Sequence, residues 1–354
     1  MNEEQFRGRV YWITFLFSML VVWVHSYNAE LFLGLSGMAV PVDRIEKVLG
    51  ETLGQMAVPG FFMVSAYLFY RKFGWEKLAS KWKSRVHSVL VPFLLWNFLY
   101  YMGYVCATRI PAITRLVGKS PVPFNGEQLV RAVVFFQYNP VFWYLYQLVL
   151  LIALAPVIWS LMRSNATALA VAAFLMFFIW KGWSFPQLNA DALLYYSAAA
   201  WAALHRQKEG RFAESGNAAG WVVPAGILTV LGAAALLLGR PGLPLYNNPL
   251  KTVLIRLVMA SLAWMAVSLA PLPAAPRWMK NSFFLYAIHF ALVRLVNKAG
   301  ARLFPSSAAA ALALFLLLPA FTAAASYGLT RLMTRYVPRL YDVLSGGRGG
   351  TVHR

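Results

Sequence analysis

The stretch that decides the fold runs from Tyr11 to Leu33 and reads YWITFLFSMLVVWVHSYNAELFL. An α-helix rises 1.5 Å per residue, so about 20 apolar residues cross the hydrocarbon core of a bilayer. This segment therefore predicts a transmembrane helix. His25 lies inside it, where an imidazole still needs hydrogen-bonding partners although water is scarce. Because imidazole also exchanges its proton near neutral pH, His25 is a candidate functional group.

The composition predicts a membrane protein built from helices. The chain has 354 residues, of which 60% are hydrophobic and only 12% are charged, whereas soluble proteins carry about 25% charged residues. Long apolar segments, rather than alternating runs of about ten residues, favour helices over a barrel. We predict an all-α, polytopic membrane helix bundle of about ten transmembrane helices, which lie near residues 10–33, 54–71, 87–107, 140–162, 167–180, 190–205, 220–239, 251–270, 282–298 and 307–335.

The domain organisation follows from the same pattern. Residues 1–340 are predicted to form a single transmembrane domain, and the glycine-rich residues 341–354 a flexible tail with little to bury. The first apolar run is too long for the hydrophobic part of a signal peptide and lacks a cleavage site of small residues. We therefore expect it to be retained as a span.

The formal net charge of +20 would indicate a nucleic-acid partner in a soluble protein. Here the charges lie in connections between apolar runs, which favours membrane lipids as partners instead, with no nucleic acid. The connection from Arg71 to Arg85 carries one acid, Glu76, among its basic residues Arg71, Lys72, Lys77, Lys81, Lys83 and Arg85. The positive-inside rule places this connection in the cytoplasm. An even number of spans then places both termini there.

Four segments occur in an order and at a spacing typical of one family. They are RVYWITFLFSMLVVWVHS (Arg9–Ser26), AVPGFFMVSAYLFYRKF (Ala57–Phe73), KWKSRVHSVLVPFLLWN (Lys81–Asn97), and the pair VFWYLYQLVLLIALAP (Val141–Pro156) and SFFLYAIHFALV (Ser282–Val293). With about ten predicted spans, this set resembles the acyltransferase-3 family. The chain departs from the family pattern at Ala66, where glycine is frequent, and at Thr14, where many members have arginine.

The resemblance implies an enzyme of the bacterial inner membrane that transfers acyl groups to hydroxyls of cell-surface glycans. It implies that His25 is the catalytic base, since neutral imidazole can take a proton from an attacking hydroxyl. The alternative for His25 is a packing role with a hydrogen bond to a neighbouring helix. The donor would be an acyl-CoA, most simply acetyl-CoA, with its phosphates on basic residues that match the family: Arg71, Lys72, Lys83 and Arg85. The alternative for these cations is a topological signal in contact with lipid.

Five further residues are candidate contacts of the acceptor: Trp143, Asn97, Tyr101, His289 and Tyr286. An aromatic belt at the level of the lipid headgroups is the alternative for Trp143. A purely structural hydrogen bond is the alternative for His289. No metal site is expected, because the sequence has no HExxH motif and no cluster of acids. The single cysteine, Cys106, excludes an intrachain disulfide.

The function that we predict is therefore O-acyl transfer from acyl-CoA to a cell-surface glycan or a lipid-linked sugar. A membrane transporter or exporter of a glycan or small polar solute is the alternative, since it would share the spans, the basic connection and the buried histidine. Release of CoA that depends on an acceptor distinguishes the two.

Overall fold

The computed structural model describes residues 2–208 and 249–348, apart from residues 36, 112, 115–117 and 119. Every regular element in these ranges is helical. The α-helices, in chain order, are α1 (Glu3–His25), α2 (Ala29–Leu33), α3 (Ala39–Lys47), α4 (Ala57–Tyr70), α5 (Leu78–Arg85), α6 (Val91–Ala107), α7 (Gly126–Val133), α8 (Trp143–Ala153), α9 (Ala155–Met162), α10 (Asn165–Trp180), α11 (Ala190–Lys208), α12 (Pro249–Leu269), α13 (Ser282–Leu303), α14 (Ala308–Tyr336) and α15 (Pro338–Ser345).

Several helical stretches are long and apolar enough to cross a membrane, which confirms the all-α membrane fold. There are 5 of them in the described residues, namely Glu3–Leu33, Ala39–Tyr70, Trp75–Ala107, Pro249–Leu269 and Ala308–Tyr336. The bent pair Pro140–Ala153 and Ala155–Met162 brings the number to 6 if it forms one span. The predicted count of about ten spans is not confirmed. The predicted span at residues 220–239 lies outside the described residues.

The chain forms two compact units, each assembled from separate segments. The first comprises Met1–Val24, Arg44–Ala79 and Ala153–Ser282. Within it α4 packs along α11, and the Tyr70 hydroxyl donates a hydrogen bond to the Ala155 carbonyl at 3.1 Å. A Cβ atom at Gly60 would lie 2.2 Å from Cε2 of Phe17. Gly60 therefore permits the close approach of α1 and α4, as small residues do between membrane helices.

The second unit comprises His25–Asp43, Ser80–Ile152 and Phe283–Arg354, and it contains both histidines singled out above. Helix α6 contacts α7 and α15 in this unit, and α14 contacts α2. The indole Nε1 of Trp96 donates to the Leu344 carbonyl at 2.9 Å, and the Tyr101 hydroxyl donates to the Pro123 carbonyl at 2.7 Å. Hydrogen bonds thus join α6 both to α15 and to the segment that precedes α7.

The chain end differs from the expected flexible tail. Helix α15 continues to Ser345, and its residues Tyr341 and Leu344 are buried. Gly346 follows with φ 66°, the left-handed conformation that glycine adopts at helix ends without strain. The predicted tail therefore starts within a packed helix, because Tyr341 and Leu344 supply an apolar face that glycine content alone did not reveal. Residues 349–354 lie outside the described residues.

Candidate active site

His25 is the last residue of α1, and it is half-buried. The sequence predicts an unbroken helix through residue 33, but the helix ends here and α2 begins only at Ala29. A helix end leaves backbone carbonyls without helical partners, which must be satisfied by other groups. The break therefore needs polar neighbours, and it places the imidazole at a helix terminus rather than along a continuous helical face.

Two buried asparagines hold this break. The side-chain amide of Asn28 donates to Oδ1 of Asn297 and to the Ala311 carbonyl, both at 3.1 Å. The amide of Asn297 in turn donates to the Ser26 carbonyl, also at 3.1 Å. Both side chains are almost fully buried. Helices α13 and α14 are thereby linked to the residues that follow His25.

We predict that Asn297→Leu destabilises the fold and displaces His25. Removing the amide leaves the Ser26 carbonyl and the Asn28 side chain with one hydrogen bond fewer in a buried site, a loss of about 1–3 kcal/mol. Thermal unfolding in detergent measures this loss, and acyl transfer by the folded fraction measures the displacement.

The matched control is Asn165→Leu. Asn165 is an exposed residue whose Oδ1 accepts from Trp201 Nε1 at 3.0 Å. We expect this variant to behave like the wild type. An Asn297→Leu variant with an unchanged unfolding temperature would contradict the role assigned to the network.

The imidazoles of His25 and His289 lie next to each other. Their ring centroids are 5.3 Å apart with an interplanar angle of 43°, and the ring of Phe290 meets His25 edge-on at 5.6 Å. His289 is fully buried in α13. The structure thus brings together two of the histidines that the sequence singled out, although they come from distant parts of the chain.

The tautomer of His289 follows from its contact with the backbone. Nδ1 is in close contact with the Tyr286 carbonyl, and because a carbonyl can only accept, Nδ1 carries the proton. Nε2 is then an acceptor. It is buried and makes no hydrogen bond in the described part of the chain, which is uncommon for a buried polar atom. His289 therefore presents an unused acceptor close to His25.

Aromatic rings surround Tyr286, one turn before His289. Tyr286 stacks on Phe142 at 5.5 Å, meets Tyr144 edge-on at 6.0 Å, and donates its hydroxyl to the Val141 carbonyl at 2.5 Å. The candidate Trp143 lies between these two aromatic residues and is half-buried. The Tyr286 hydroxyl is occupied by a backbone bond, so the residue supports the position of His289.

Asn97 and Tyr101 contact the connection between α6 and α8. Asn97 donates to the Val133 carbonyl at 3.1 Å and accepts from Asn139 at 3.3 Å. Tyr101 is fully buried and donates to Pro123, as described above. These contacts hold the long connection against α6. Asn97 and Tyr101 therefore stabilise the fold, and the acceptor contact predicted for them stays a prediction.

Similarity to known proteins identifies the family of this chain. A family model described as "Acyltransferase domain", that of the acyltransferase-3 family, matches residues 10–330. The chain belongs to the acyltransferase-3 family. It is similar to the succinoglycan biosynthesis protein ExoH of Rhizobium meliloti (strain 1021), with 27% identity over 93% of this chain and 89% of the relative. No solved structure matches significantly. The protein is thus a multi-pass membrane acyltransferase.

In this acyltransferase, two of the predicted donor cations share a carboxylate. Nη2 of Arg71 lies 2.6 Å from Oε2 of Glu3, and Nζ of Lys72 lies 3.6 Å from the same oxygen. The guanidinium of Arg71 also covers the ring of Phe6 at 4.1 Å. These contacts fasten the first turn of α1 to the end of α4. A phosphate that binds Arg71 or Lys72 has to compete with Glu3.

The other two predicted donor cations belong to the second unit, at the end of α5. Lys83 is exposed, and its carbonyl is 2.9 Å from Nδ1 of His87. Arg85 is near Arg348. The sequence did not single out Arg348, because this residue falls in the predicted flexible tail. Desolvation of the Arg348 guanidinium and the charge of Arg85 lower the pKa of Arg348 to about 10. Neighbouring guanidinium groups favour the binding of an anion.

Arg348 is held in place by its own contacts. Its Nη1 donates to the Ser88 carbonyl at 3.1 Å and to the Ser345 carbonyl at 3.0 Å, and its guanidinium covers the ring of Phe283 at 4.4 Å. Phe283 lies on α13, the helix that carries His289. These contacts hold the Arg348 side chain close to the end of α15.

Proposed function

We propose that this acyltransferase moves an acyl group, most simply acetyl, from acyl-CoA to a hydroxyl of a cell-surface glycan or lipid-linked sugar. The observation that carries the proposal is the contact between the His25 imidazole and His289, whose tautomer is fixed by a backbone carbonyl. Family membership supplies the reaction class. The relative named for succinoglycan biosynthesis favours a glycan as acceptor.

The reaction that we propose needs one base. His25 takes the proton of the acceptor hydroxyl as its oxygen attacks the carbonyl carbon of the thioester. A new C–O bond forms, the C–S bond breaks, and the electron pair leaves with the CoA sulfur. The proton held by His25 then passes to this thiolate, which leaves as the thiol. Atoms and charge balance without any additional reactant.

His289 is the positioning residue in this proposal. A base has to direct its lone pair at the hydroxyl, and its other nitrogen then carries a proton that needs an acceptor. Nε2 of His289 is such an acceptor, since Nδ1 is committed to the Tyr286 carbonyl. The short distance between the rings supports this pairing. His289 would thereby fix both the tautomer and the orientation of His25.

The donor phosphates are proposed to bind on the basic side of the second unit. Arg85 is the leading candidate, and Arg348 adds a second guanidinium that suits bidentate contact with phosphate. Lys83 is exposed nearby in sequence, whereas Arg71 and Lys72 take part only if Glu3 releases them. The positive-inside rule supports a cytoplasmic position for this side. We accordingly propose a bacterial inner-membrane protein with both termini in the cytoplasm.

A direct assay tests the proposed function. Purified protein is incubated with acetyl-CoA that is labelled in the acetyl group, with and without a bacterial polysaccharide or oligosaccharide as acceptor. We expect release of free CoA that depends on the acceptor, and label in an ester that mild alkali removes. Uptake of glycan into vesicles without CoA release would instead identify a transporter.

A further inference from the structure

A cavity of about 390 Å³ lies in the second unit, between α6 and α13. Its size is within the range of small-molecule sites. The residues that line it from α6 recur at helical spacing on one face: Trp96, Leu99, Tyr100, Gly103, Tyr104 and Ala107. Nearly all of this lining is apolar. The cavity can therefore hold a hydrocarbon chain.

The lining from α13 combines apolar residues with two cations. Phe290, Ala291 and Leu295 continue the apolar surface, and Arg294 and Lys298 line the same cavity one helical turn apart. The Arg294 guanidinium is exposed and lies 5.4 Å from the centroid of the Phe290 ring. Two cations at this spacing match a diphosphate, which offers several oxygens and more than one negative charge.

The cavity adjoins the candidate catalytic histidine. Phe290 lines the cavity with one side and meets the His25 ring at 5.6 Å. Tyr100 lines it as well, and its hydroxyl donates to the Ala287 carbonyl of α13 at 3.0 Å. The Phe290 ring thus contacts both the cavity and the imidazole.

We propose that this groove binds the anchor of a lipid-linked acceptor. A polyprenyl chain lies along the apolar face, its diphosphate binds Arg294 and Lys298, and the first sugars reach His25. The inference rests on the proposed function, because it uses His25 as the base of acyl transfer. This binding explains how a polar sugar could reach His25, which ends an apolar helix, because the lipid anchor brings the sugar to the membrane.

Charge and shape favour this lipid over a bulk phospholipid. A phospholipid has two acyl chains and one phosphate, whereas the groove offers one apolar face between two helices and two cations. A polyprenyl diphosphate has one chain and a doubly or triply charged head. The choice between these two lipids is open to experiment, because they can compete for the same labelled site.

Gly103 provides a variant that fills the groove without a clash. It lines the cavity, and a Cβ atom added to it would meet no atom within 4 Å. Gly328 is the matched control, since it is also an exposed helical glycine in the second unit, has equally open space, and does not line the cavity. Leucine favours helix more than glycine does, so we expect both variants to fold.

The experiment uses geranylgeranyl diphosphate that carries a diazirine at the end of its chain. Wild type, Gly103→Leu and Gly328→Leu are reconstituted in phosphatidylcholine nanodiscs, irradiated with the probe, and digested for mass spectrometry. We expect label on α6 or α13, reduced about tenfold by Gly103→Leu and unchanged by Gly328→Leu. Arg294→Gln combined with Lys298→Gln should reduce the labelling as well, because the diphosphate loses both partners.

Competition and activity separate the possible failures. Undecaprenyl diphosphate should displace the probe at concentrations at which phosphatidylglycerol does not. Equal displacement by phosphatidylglycerol, or labelling that Gly103→Leu leaves unchanged, would overturn the proposal. Release of CoA to a water-soluble oligosaccharide is measured on the same wild-type sample. If that release is absent while the label maps to the groove, the proposed function fails and lipid binding stands.

Discussion

Replacement of His25 by alanine is expected to reduce acyl transfer by about a hundredfold to ten-thousandfold, the usual contribution of a general base. The family resemblance implies that His25 is the base, and the residue lies at the end of α1. Its loss leaves the acceptor hydroxyl without a proton acceptor, although donor and acceptor still bind. The measurement is the rate of CoA release at saturating acetyl-CoA and acceptor, with KM determined for each.

The control for this variant is His205→Ala. His205 is a histidine of α11 whose Nδ1 contacts the Trp201 carbonyl at 3.0 Å, within its own helix. We expect His205→Ala to transfer at the wild-type rate. A His25→Ala protein that elutes as a single species, binds CoA and retains full activity would exclude His25 as the base.

Replacement of His289 by asparagine is expected to lower kcat by about tenfold to a hundredfold while KM for acetyl-CoA stays the same. The asparagine amide can still donate to the Tyr286 carbonyl, but no atom replaces Nε2. In the proposed mechanism His25 then has no acceptor at the position of Nε2, whereas we expect donor binding on the basic side to be unaffected. Steady-state kinetics with varied acetyl-CoA measure the separation of kcat from KM.

A merely structural role for His289 makes a different prediction. His289→Asn would then lower the unfolding temperature, and the protein that remains folded would transfer at the normal rate. His289→Gln is the rescue variant, because its longer amide reaches the position of Nε2, and we expect it to recover part of the rate. Equal kcat in the wild type and both variants would contradict the positioning role.

The fold class could be predicted because apolar content and segment length determine whether helices can span a bilayer. The number of spans could not. Helix α10 is apolar but has only 16 residues, and α13 mixes its apolar residues with Arg294, Lys298 and Arg302. Hydropathy alone treats such helices as ambiguous. The packed helix α15 was also missed, since its apolar face comprises few residues beside a glycine-rich end.

The site was predictable where a single residue type is unusual for its surroundings. A histidine in an apolar run stands out in the sequence, so His25 and His289 were singled out as candidates, and the structure brings their rings together. Asn28 and Asn297 were not, because an asparagine near a helix end is ordinary and only the fold shows that the two amides meet. The ion pair between Glu3 and Arg71 likewise depends on contact between distant segments, which no local pattern encodes.

The segmented make-up of the second unit has a consequence for biogenesis. Its last segment, Phe283–Arg354, supplies His289, Asn297 and the helix that accepts the Trp96 indole bond. During synthesis the early segment with His25 therefore leaves the ribosome long before its partners exist. Until α13 is made, Asn28 lacks its Asn297 partner and the His25 imidazole lacks its His289 neighbour. The contacts of His25 with His289 and of Asn28 with Asn297 can therefore form only after α13 has been made.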